Sequence, residues 1–387
     1  MLEGVNVALG VTGSIAAVKV VELAHELRRQ GAEVRGVLTE SAQGIVHPWA
    51  VEFATGHEPV TELTGRVEHV ELCGRDGWAD VLLIAPCTAN TVGKIAAAVD
   101  DSPVTTTATT AIGADVPVVI APAMHEPMYD HPGVLDAIET VESWGVEFVD
   151  PRIEEGKAKI ATEEAIVTEV ARATAPDTLA GRHVVVTAGA TSEPIDPIRS
   201  ITNRASGKTG RAVAKACYVR GADVTLVHDG DDVPYAAVKQ VERAAEMCDA
   251  VLAAVDDGAD ALISAAAISD FTVDAADEKI KSGEERTLTL TPAPKLIDDV
   301  REAYPELPII GFKAETAGGD EGLVDEARRI LDRAGLSFVV ANDASVMGDD
   351  ETRALLVRDE GYAEFAGSKA DLGTRVAEEL AEVLGEA

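Results

Sequence analysis

Residues 5–11 form a short apolar run that ends in Thr12-Gly13-Ser14, and behind it Val20, Leu23, Ala24 and Leu27 recur at helical spacing until Gly31. Residues 33–39 then read as a second strand, so residues 1–40 predict one strand–helix–strand unit with parallel pairing. Residues 81–85 and 116–121 are continuous apolar runs rather than alternating ones, the pattern of strands covered on both faces. Helical patterns follow at 134–143 and 163–173, and then a breaker-rich stretch from Thr174 through Pro176 to Gly181. At Arg182 the pattern restarts: a strand at 183–187, a long loop, a helix at 210–220 and a strand at 223–227. Apolar runs at 261–264, 308–312, 338–342 and 354–357 predict the rest of a second sheet, and 369–384 a closing amphipathic helix. The chain therefore reads as α/β, two doubly wound Rossmann-like domains at 1–174 and 182–387 joined by a linker at 175–181. Gly31-Ala32-Glu33-Val34 and Gly221-Ala222-Asp223-Val224 echo one another because each closes a helix and opens a strand; little else aligns, so the echo reflects shared fold grammar.

Composition changes this picture through charge. Asp and Glu total 68 against 33 Lys and Arg, a formal net charge of −35 over 387 residues. Nucleic-acid binding is excluded as the main role, because it needs positive charge to release phosphate counterions. The acids are spread along the chain (Glu139, Glu142, Asp256, Asp257, Glu351) rather than blocked in a tail. Self-repulsion on this scale is relieved when salt shortens the Debye length to about 3 Å near 1 M, so the composition predicts a salt-rich, cytoplasmic setting. Cys73, Cys87, Cys217 and Cys248 stand far apart with no CxxC pair, which argues against a disulfide scaffold or zinc knuckle. No basic leader opens the sequence and no run of 18 apolar residues occurs, so no membrane association is expected.

Small residues at Gly10-Val11-Thr12-Gly13-Ser14-Ile15-Ala16-Ala17 stand between a strand and a helix start, where free N–H groups and the helix dipole favour a phosphate. Alone, this spacing also fits a steric strand–helix turn, and it is not the GxGxxG fingerprint. Three more segments follow apolar strands: Leu38-Thr39-Glu40-Ser41-Ala42, Ala85-Pro86-Cys87-Thr88-Ala89-Asn90-Thr91 and Ala121-Pro122-Ala123-Met124-His125-Glu126-Pro127-Met128. All would lie at the carboxyl edge of the sheet, where open α/β folds bind ligands. These segments resemble the homo-oligomeric flavin-containing cysteine decarboxylases, with their GSIAA, P-x-[ST]-A-N-T and PAMN-x-x-M motifs. The second half extends the likeness through Thr187-Ala188-Gly189-Ala190-Thr191-Ser192-Glu193-Pro194-Ile195-Asp196-Pro197-Ile198-Arg199 and Ile201-Thr202-Asn203-Arg204-Ala205-Ser206-Gly207-Lys208-Thr209-Gly210. Essentially the whole chain resembles the bifunctional phosphopantothenoylcysteine decarboxylase/phosphopantothenate–cysteine ligase family of coenzyme A biosynthesis.

For the first domain the resemblance implies that FMN oxidises the substrate thiol to a thioaldehyde, allowing the carboxylate to leave, and then returns the electrons. Glu68-His69-Val70-Glu71-Leu72 matches the segment carrying the family's active-site base, His69; read without the family, His69 is a surface histidine on a strand. Gly13, Ser14, Thr39, Ser41, Thr88 and Asn90 would surround the flavin, and Ser102 and Thr105 would add hydroxyls for its phosphate. Two departures stand out. His125 replaces the asparagine that holds the substrate carboxylate, and the clamp segment from Pro151 to Ile160 has no cysteine to act as proton donor. Lys157 or Lys159 is expected to bind substrate there, with the donor changed.

For the second domain the resemblance implies CTP activation of phosphopantothenate as an acyl-cytidylate, followed by attack of cysteine. Lys279, in Glu278-Lys279-Ile280-Lys281-Ser282, would contact the triphosphate; its bland reading is an exposed loop lysine. Ser264, Ala265 and Ala266 would lie against cytidine, and Asp270 would reach its ribose or a Mg2+ ion. Pro294-Lys295-Leu296-Ile297 aligns with P-D-I-[LV], Lys295 replacing the aspartate, and Phe312, in Gly311-Phe312-Lys313-Ala314-Glu315-Thr316, would line the nucleotide site. Asn203 would steady the acyl-cytidylate, with Arg199 preceding it at the family spacing. The family's later lysines are replaced by arginines such as Arg329 and Arg333. Relatives form trimers through the flavin domain and dimers through the ligase domain, which implies a homo-oligomer up to a dodecamer. Two other readings stay open: a regulatory flavoprotein half, and a ligase whose flavin domain is a structural module.

Overall fold

A computed structural model describes residues 1–283, 285–315, 319–343 and 351–386. Thr316, the last residue of the Gly311–Thr316 motif, lies outside the described residues. The chain divides into two compact units, Met1–Ala175 and Pro176–Ala387.

In the first unit the elements are β1 (Asn6–Val11), α1 (Val20–Arg29), β2 (Glu33–Leu38), α2 (Glu40–Gln43), α3 (Pro48–Thr55), α4 (Glu68–Cys73) and β3 (Val81–Cys87). They continue with α5 (Ala89–Ala96), α6 (Pro103–Gly113), β4 (Val118–Pro122), β5 (Met124–His125), α7 (Glu126–Tyr129) and α8 (Pro132–Glu142). β6 (Glu147–Phe148), β7 (Arg152–Glu154), β8 (Lys157–Lys159) and α9 (Glu163–Thr174) complete it. The main sheet is parallel, in the order β2-β1-β3-β4-β6. Every residue of β3 is buried, as its unbroken apolar run predicts for a strand covered on both faces. Ala8, Leu82, Ile84 and Ile120 pack on Val104, Ala108 and Val141 to form one side of the core. The sequence pattern gave no sign of the antiparallel ladder β5-β8-β7, because its strands are short and polar.

The second unit runs β9 (His183–Thr187), β10 (Ser192–Asp196), β11 (Arg199–Thr202), α10 (Lys208–Val219), β12 (Asp223–His228), β13 (Ala237–Gln240), α11 (Ala244–Asp256) and β14 (Ala261–Ser264). Then come β15 (Phe271–Val273), β16 (Leu290–Pro292), α12 (Leu296–Ala303), β17 (Ile309–Glu315), α13 (Gly319–Ala334), β18 (Phe338–Asp343), β19 (Glu351–Arg358), β20 (Gly361–Ser368) and α14 (Lys369–Glu386). The sheet order is β13-β12-β9-β14-β17-β18-β19-β20, parallel as far as β18 and antiparallel beyond it. Strand alternation divides the core: Val184 and Val186 of β9 face Val213 of α10 and Val376 and Leu380 of α14, while Val185 belongs with Val251 of α11 and Leu323 of α13. Both sheets are thus doubly wound, and in each the direction of winding reverses beside one strand. That reversal lies between β1 and β3 in the first unit and between β9 and β14 in the second.

Candidate active sites

The first reversal point carries a cavity of about 620 Å³, within the usual range for a small-molecule site. The buried Thr12 hydroxyl donates to the Pro86 carbonyl at 2.8 Å and accepts from the Thr88 N–H at 3.1 Å, tying the end of β1 to the end of β3 and so holding Gly13 and Thr88, which line the cavity, beside each other. Around it, helix starts are capped by hydroxyls. Ser14 caps the 3₁₀ turn Ile15–Lys19, Thr39 caps α2, Thr88 caps α5 and Ser102 caps α6. Each such cap is worth about 1 kcal/mol to its helix and leaves other first-turn N–H groups facing outward. Gly13 is required by close packing, since a Cβ there would come within 2.4 Å of Ser41 Oγ and 2.6 Å of Ser41 Cβ.

One wall of this cavity is the β5-β8-β7 ladder. His125 and Lys157 are opposite residues in the antiparallel pairing of β5 and β8, and Met124 faces Ala158. His125, Lys157 and Lys159 all line the cavity, with Gly13, Ser14, Thr88, Met124 and Met128. The two lysines differ in company. Lys159 Nζ donates to Glu154 and Glu155 at 3.0 Å each, contacts that raise its pKa, whereas Lys157 makes no ion pair among the described residues.

Not every expected residue reaches this cavity. Ser102 and Thr105 spend their hydroxyls on one another in the α6 capping box, with Thr105 Oγ1 2.9 Å from Ser102 Oγ and Thr105 buried. Thr39 and Ser41 lie behind Gly13, their hydroxyls 3.1 Å apart, and Asn90 is exposed on α5. His69 lies on helix α4 rather than on a strand and does not line the cavity. Its Nδ1 is buried without a hydrogen-bond partner, a cost that an added donor or acceptor would remove.

The second reversal point carries a cavity of about 430 Å³. Here the loops after β9 and β14 are stitched together: Ala267 N–H donates to Gly189 O at 2.9 Å, and Ala266 N–H to Thr187 Oγ1 at 3.2 Å. Asn203 donates from Nδ2 to Ala267 O at 2.8 Å, which turns its amide into the cavity wall. Ala265, Ala266 and Phe312 also line it, as expected, and α10 opens onto it with Gly207 as an N-cap that has no side chain to satisfy the first N–H groups.

The remaining expected residues sit elsewhere. Ser264 is buried at the end of β14, and Leu296 is in the core, because α12 turns its apolar stripe of Leu296 and Val300 onto the sheet. Pro294 and Ile297 flank it outside the cavity lining. Lys295 is ion-paired with Asp270. Among the described residues no group of three or more His, Cys, Asp or Glu side chains is arranged to hold a metal ion, so Asp270 by itself fits a resident Mg2+ poorly. Arg199 does not face the cavity either. It pairs with the buried Asp196 and donates to Ile280 O at 2.6 Å, while Ile280 N–H donates to Asp196 Oδ2 at 3.1 Å. These bonds anchor the segment that carries the exposed Lys279. The Arg199 contact holds the Asp196 carboxyl well below the ordinary range against the opposing effect of desolvation, helped by the N–H groups of Ile198, Ile280 and Arg199.

Residues 1–175 match the family described as Flavoprotein, and residues 179–384 match the DNA/pantothenate metabolism flavoprotein C-terminal domain. The coenzyme A biosynthesis bifunctional protein CoaBC of Thermococcus kodakarensis is 48% identical over 389 residues, covering 99% of this chain and 96% of that protein. The chain belongs to the CoaBC family. The CoaBC of Bacillus subtilis is 36% identical over 368 residues, covering 90% of this chain and 88% of that protein. A crystal structure of the DNA/pantothenate metabolism flavoprotein from Streptococcus pneumoniae aligns with a TM-score of 0.47 at 25% identity, covering 52% of this chain and 99% of that one.

As a CoaBC, the chain is a bifunctional enzyme of coenzyme A biosynthesis with a flavoprotein decarboxylase half and a ligase half. Sequence reasoning missed the cationic part of the ligase cavity. Lys313 and Lys369 line it together with Arg204 and Lys208, yet Lys369 is remote in sequence from every motif. The signal at Lys208 was present in the Asn203–Gly210 motif; for Lys369 there was none. On the flavoprotein side, the first-turn N–H groups, the close approach at Gly13 and the apolar floor of Met124 and Met128 fit a flavin phosphate and ring.

Proposed function

We propose that the second unit joins 4′-phosphopantothenate to cysteine at the expense of CTP, and that the first unit decarboxylates the product, 4′-phosphopantothenoylcysteine, to 4′-phosphopantetheine with FMN. The boundaries proposed are 1–174 for the decarboxylase, 175–181 for the linker and 182–387 for the ligase. The observation that carries the reading is the pair of cavities at the two sheet reversal points, each lined by part of the donor set its half requires, in a chain of the CoaBC family.

In the first cavity, Gly13, Ser14 and Thr88 would hold FMN, with Thr39, Ser41 and Asn90 around them and Ser102 and Thr105 shaping the α6 start. FMN, when bound, supplies reversible two-electron oxidation. His125 and Lys157 would receive the substrate carboxylate, their opposition across the ladder aiming both at one anion. Lys159 would keep the β7–β8 hairpin in place through its two glutamates. His69 is proposed as the base, its unpartnered Nδ1 being completed when the site is filled.

In the second cavity, the phosphopantothenate carboxylate would displace pyrophosphate from CTP, and the cysteine amine would then displace CMP from the acyl carbon. Asn203, held by Ala267 O, would donate to the acyl-cytidylate; Ala265, Ala266 and Phe312 would flank the base, and Lys279 would approach on the segment anchored by Arg199. No step is routed through a protein-held metal, since Asp270 is paired with Lys295; Mg2+ would arrive on the triphosphate. The enzyme is further proposed to be cytoplasmic, salt-adapted and homo-oligomeric. Among the described residues no helix is long and apolar enough to cross a membrane.

The test is mass spectrometry of the products after full-length protein is mixed with phosphopantothenate, cysteine, CTP and magnesium in molar KCl. Phosphopantetheine is the expected product. A second reading, a ligase with a non-catalytic or regulatory flavin domain, is favoured by the absence of cysteine from residues 151–160; phosphopantothenoylcysteine accumulating alone would select it. No product with any nucleotide, from folded protein, overturns both.

A further inference from the structure

Among the described residues, the ionisable side chains lining the flavoprotein cavity are Lys19, His125, Arg152, Lys157 and Lys159. Three of them are already paired. Lys19 meets Glu163 at 3.5 Å, Arg152 meets Glu154 at 3.2 Å, and Lys159 meets Glu154 and Glu155 at 3.0 Å each. His125 and Lys157, opposite one another across β5 and β8, have no hydrogen-bond or ion-pair partner among the described residues. No Cys, Asp, Glu or Tyr lines this space, and Cys73 and Cys87, the cysteines of this unit, are buried.

The sequence explains why the His125 ring is left over. Three histidines of this unit are helix N-caps: His47, His125 and His131. His47 and His131 are each followed directly by proline, and their Nδ1 atoms accept from the next N–H, that of Trp49 at 3.2 Å and of Gly133 at 3.1 Å. After His125 the order is Glu126-Pro127, so proline occupies the position whose N–H would bond the ring, and proline has none to give. The Glu126 N–H instead donates to Gly156 O at 3.2 Å, fastening the end of β5 to the turn between β7 and β8. The imidazole is therefore exposed, beside the unpaired ammonium of Lys157, with both nitrogens unspent.

The net reaction of the decarboxylase half breaks the bond between the α-carbon and the carboxylate and forms a C–H bond in its place. It consumes one proton and is redox-neutral, since FMN, when bound, takes up two electrons and gives them back. If that proton is not delivered to the α-carbon, the substrate stops at an enethiol, R–NH–CH=CH–SH, two electrons short of the product. The donor must stand where the carboxylate stood. An ammonium keeps its proton through the neutral range and acts as a fixed charge, whereas an imidazolium gives one up there. We propose that His125 delivers the proton that takes the place of the departing CO2, while Lys157 across the ladder holds the carboxylate. This rests on the decarboxylase reading above and assigns the donor role that the cysteine-free segment 151–160 leaves open.

The experiment is an anaerobic single turnover of phosphopantothenoylcysteine by the full FMN-loaded chain, with CO2, enethiol and phosphopantetheine measured together, for wild type, His125→Asn and Lys157→Ala. Asparagine can still bond a carboxylate but is no acid, and it removes no internal contact, because the His125 ring makes none. His125→Asn should release CO2 and yield enethiol, its share of phosphopantetheine falling at least about tenfold. Lys157→Ala should turn over more slowly but still yield phosphopantetheine. Binding is read separately by calorimetry of the loaded proteins with phosphopantothenoylserine, which carries the carboxylate but no thiol to oxidise. Lys157→Ala should weaken it about ten- to hundredfold, and His125→Asn by less. Phosphopantetheine as the sole product of His125→Asn, or no CO2 from it, overturns the inference and leaves the decarboxylase reading intact; enethiol from Lys157→Ala moves the donor role to Lys157 and overturns it equally. A wild type that releases no CO2 overturns both.

Discussion

His125 and Lys157 face each other across the β5–β8 ladder, whereas Lys159, on the same face of β8 two residues on, is taken up by Glu154 and Glu155. Equivalent by sequence, the two lysines are separated by their partners. Lys157→Ala is expected to lower kcat/KM of decarboxylation about ten- to hundredfold, the range for a lost charged contact to substrate. Lys159→Ala should stay within a few-fold, because exposed ion pairs are worth about 0–1 kcal/mol. Carbon dioxide release by the two variants, side by side, checks this.

Gly13→Ala should abolish flavin retention. The new methyl would meet Ser41 at both Oγ and Cβ, so Ser41→Ala should not restore it. Flavin absorbance per chain after gel filtration reads the outcome, with circular dichroism to confirm that the unit remains folded.

Asp196 titrates below its unfolded value of about 3.9. A depressed carboxyl contributes stability that is fully present above the unfolded pKa and disappears as pH falls through the folded one. Hydrogen exchange at the Ile280 amide should therefore show no added opening of this anchor between about pH 5 and 8 and should rise only in strong acid. Asp196→Asn should expose the same amide at neutral pH.

Cys73, Cys87, Cys217 and Cys248 are all buried, and burial alone pushes Cys73 up to about 12. None can supply a thiolate at neutral pH. Iodoacetamide should leave the native chain largely unmodified and label the four thiols in denaturant; rapid labelling of one in the native state would revive a cysteine proton donor.

With 68 acidic against 33 basic side chains, thermal stability should rise with KCl into the molar range as repulsion is screened. Melting curves at increasing KCl check it, and a midpoint that falls with salt would remove the proposal of salt adaptation.

Much of this architecture was legible in the chain. The strand readings at 183–187 and 261–264 coincide with β9 and β14, and the continuous apolar run at 81–85 is the buried heart of β3, because strands covered on both faces must be apolar throughout. The β5-β8-β7 ladder was not legible, since short polar strands carry no periodic signal, and neither was the helical setting of His69 in a six-residue helix.

By itself, the sequence determined the two α/β units, the loops at the carboxyl edges of their strands and the family, because periodicity and local motifs are properties of neighbouring residues. Tertiary structure alone decided which side chains share a space. It sent Leu296 into the core, gave Arg199 to Asp196, paired Lys295 with Asp270, and brought Lys369 beside the start of α10 from more than a hundred residues away. Those outcomes depend on helix packing and on the competition of each charge for partners, which only the folded chain settles.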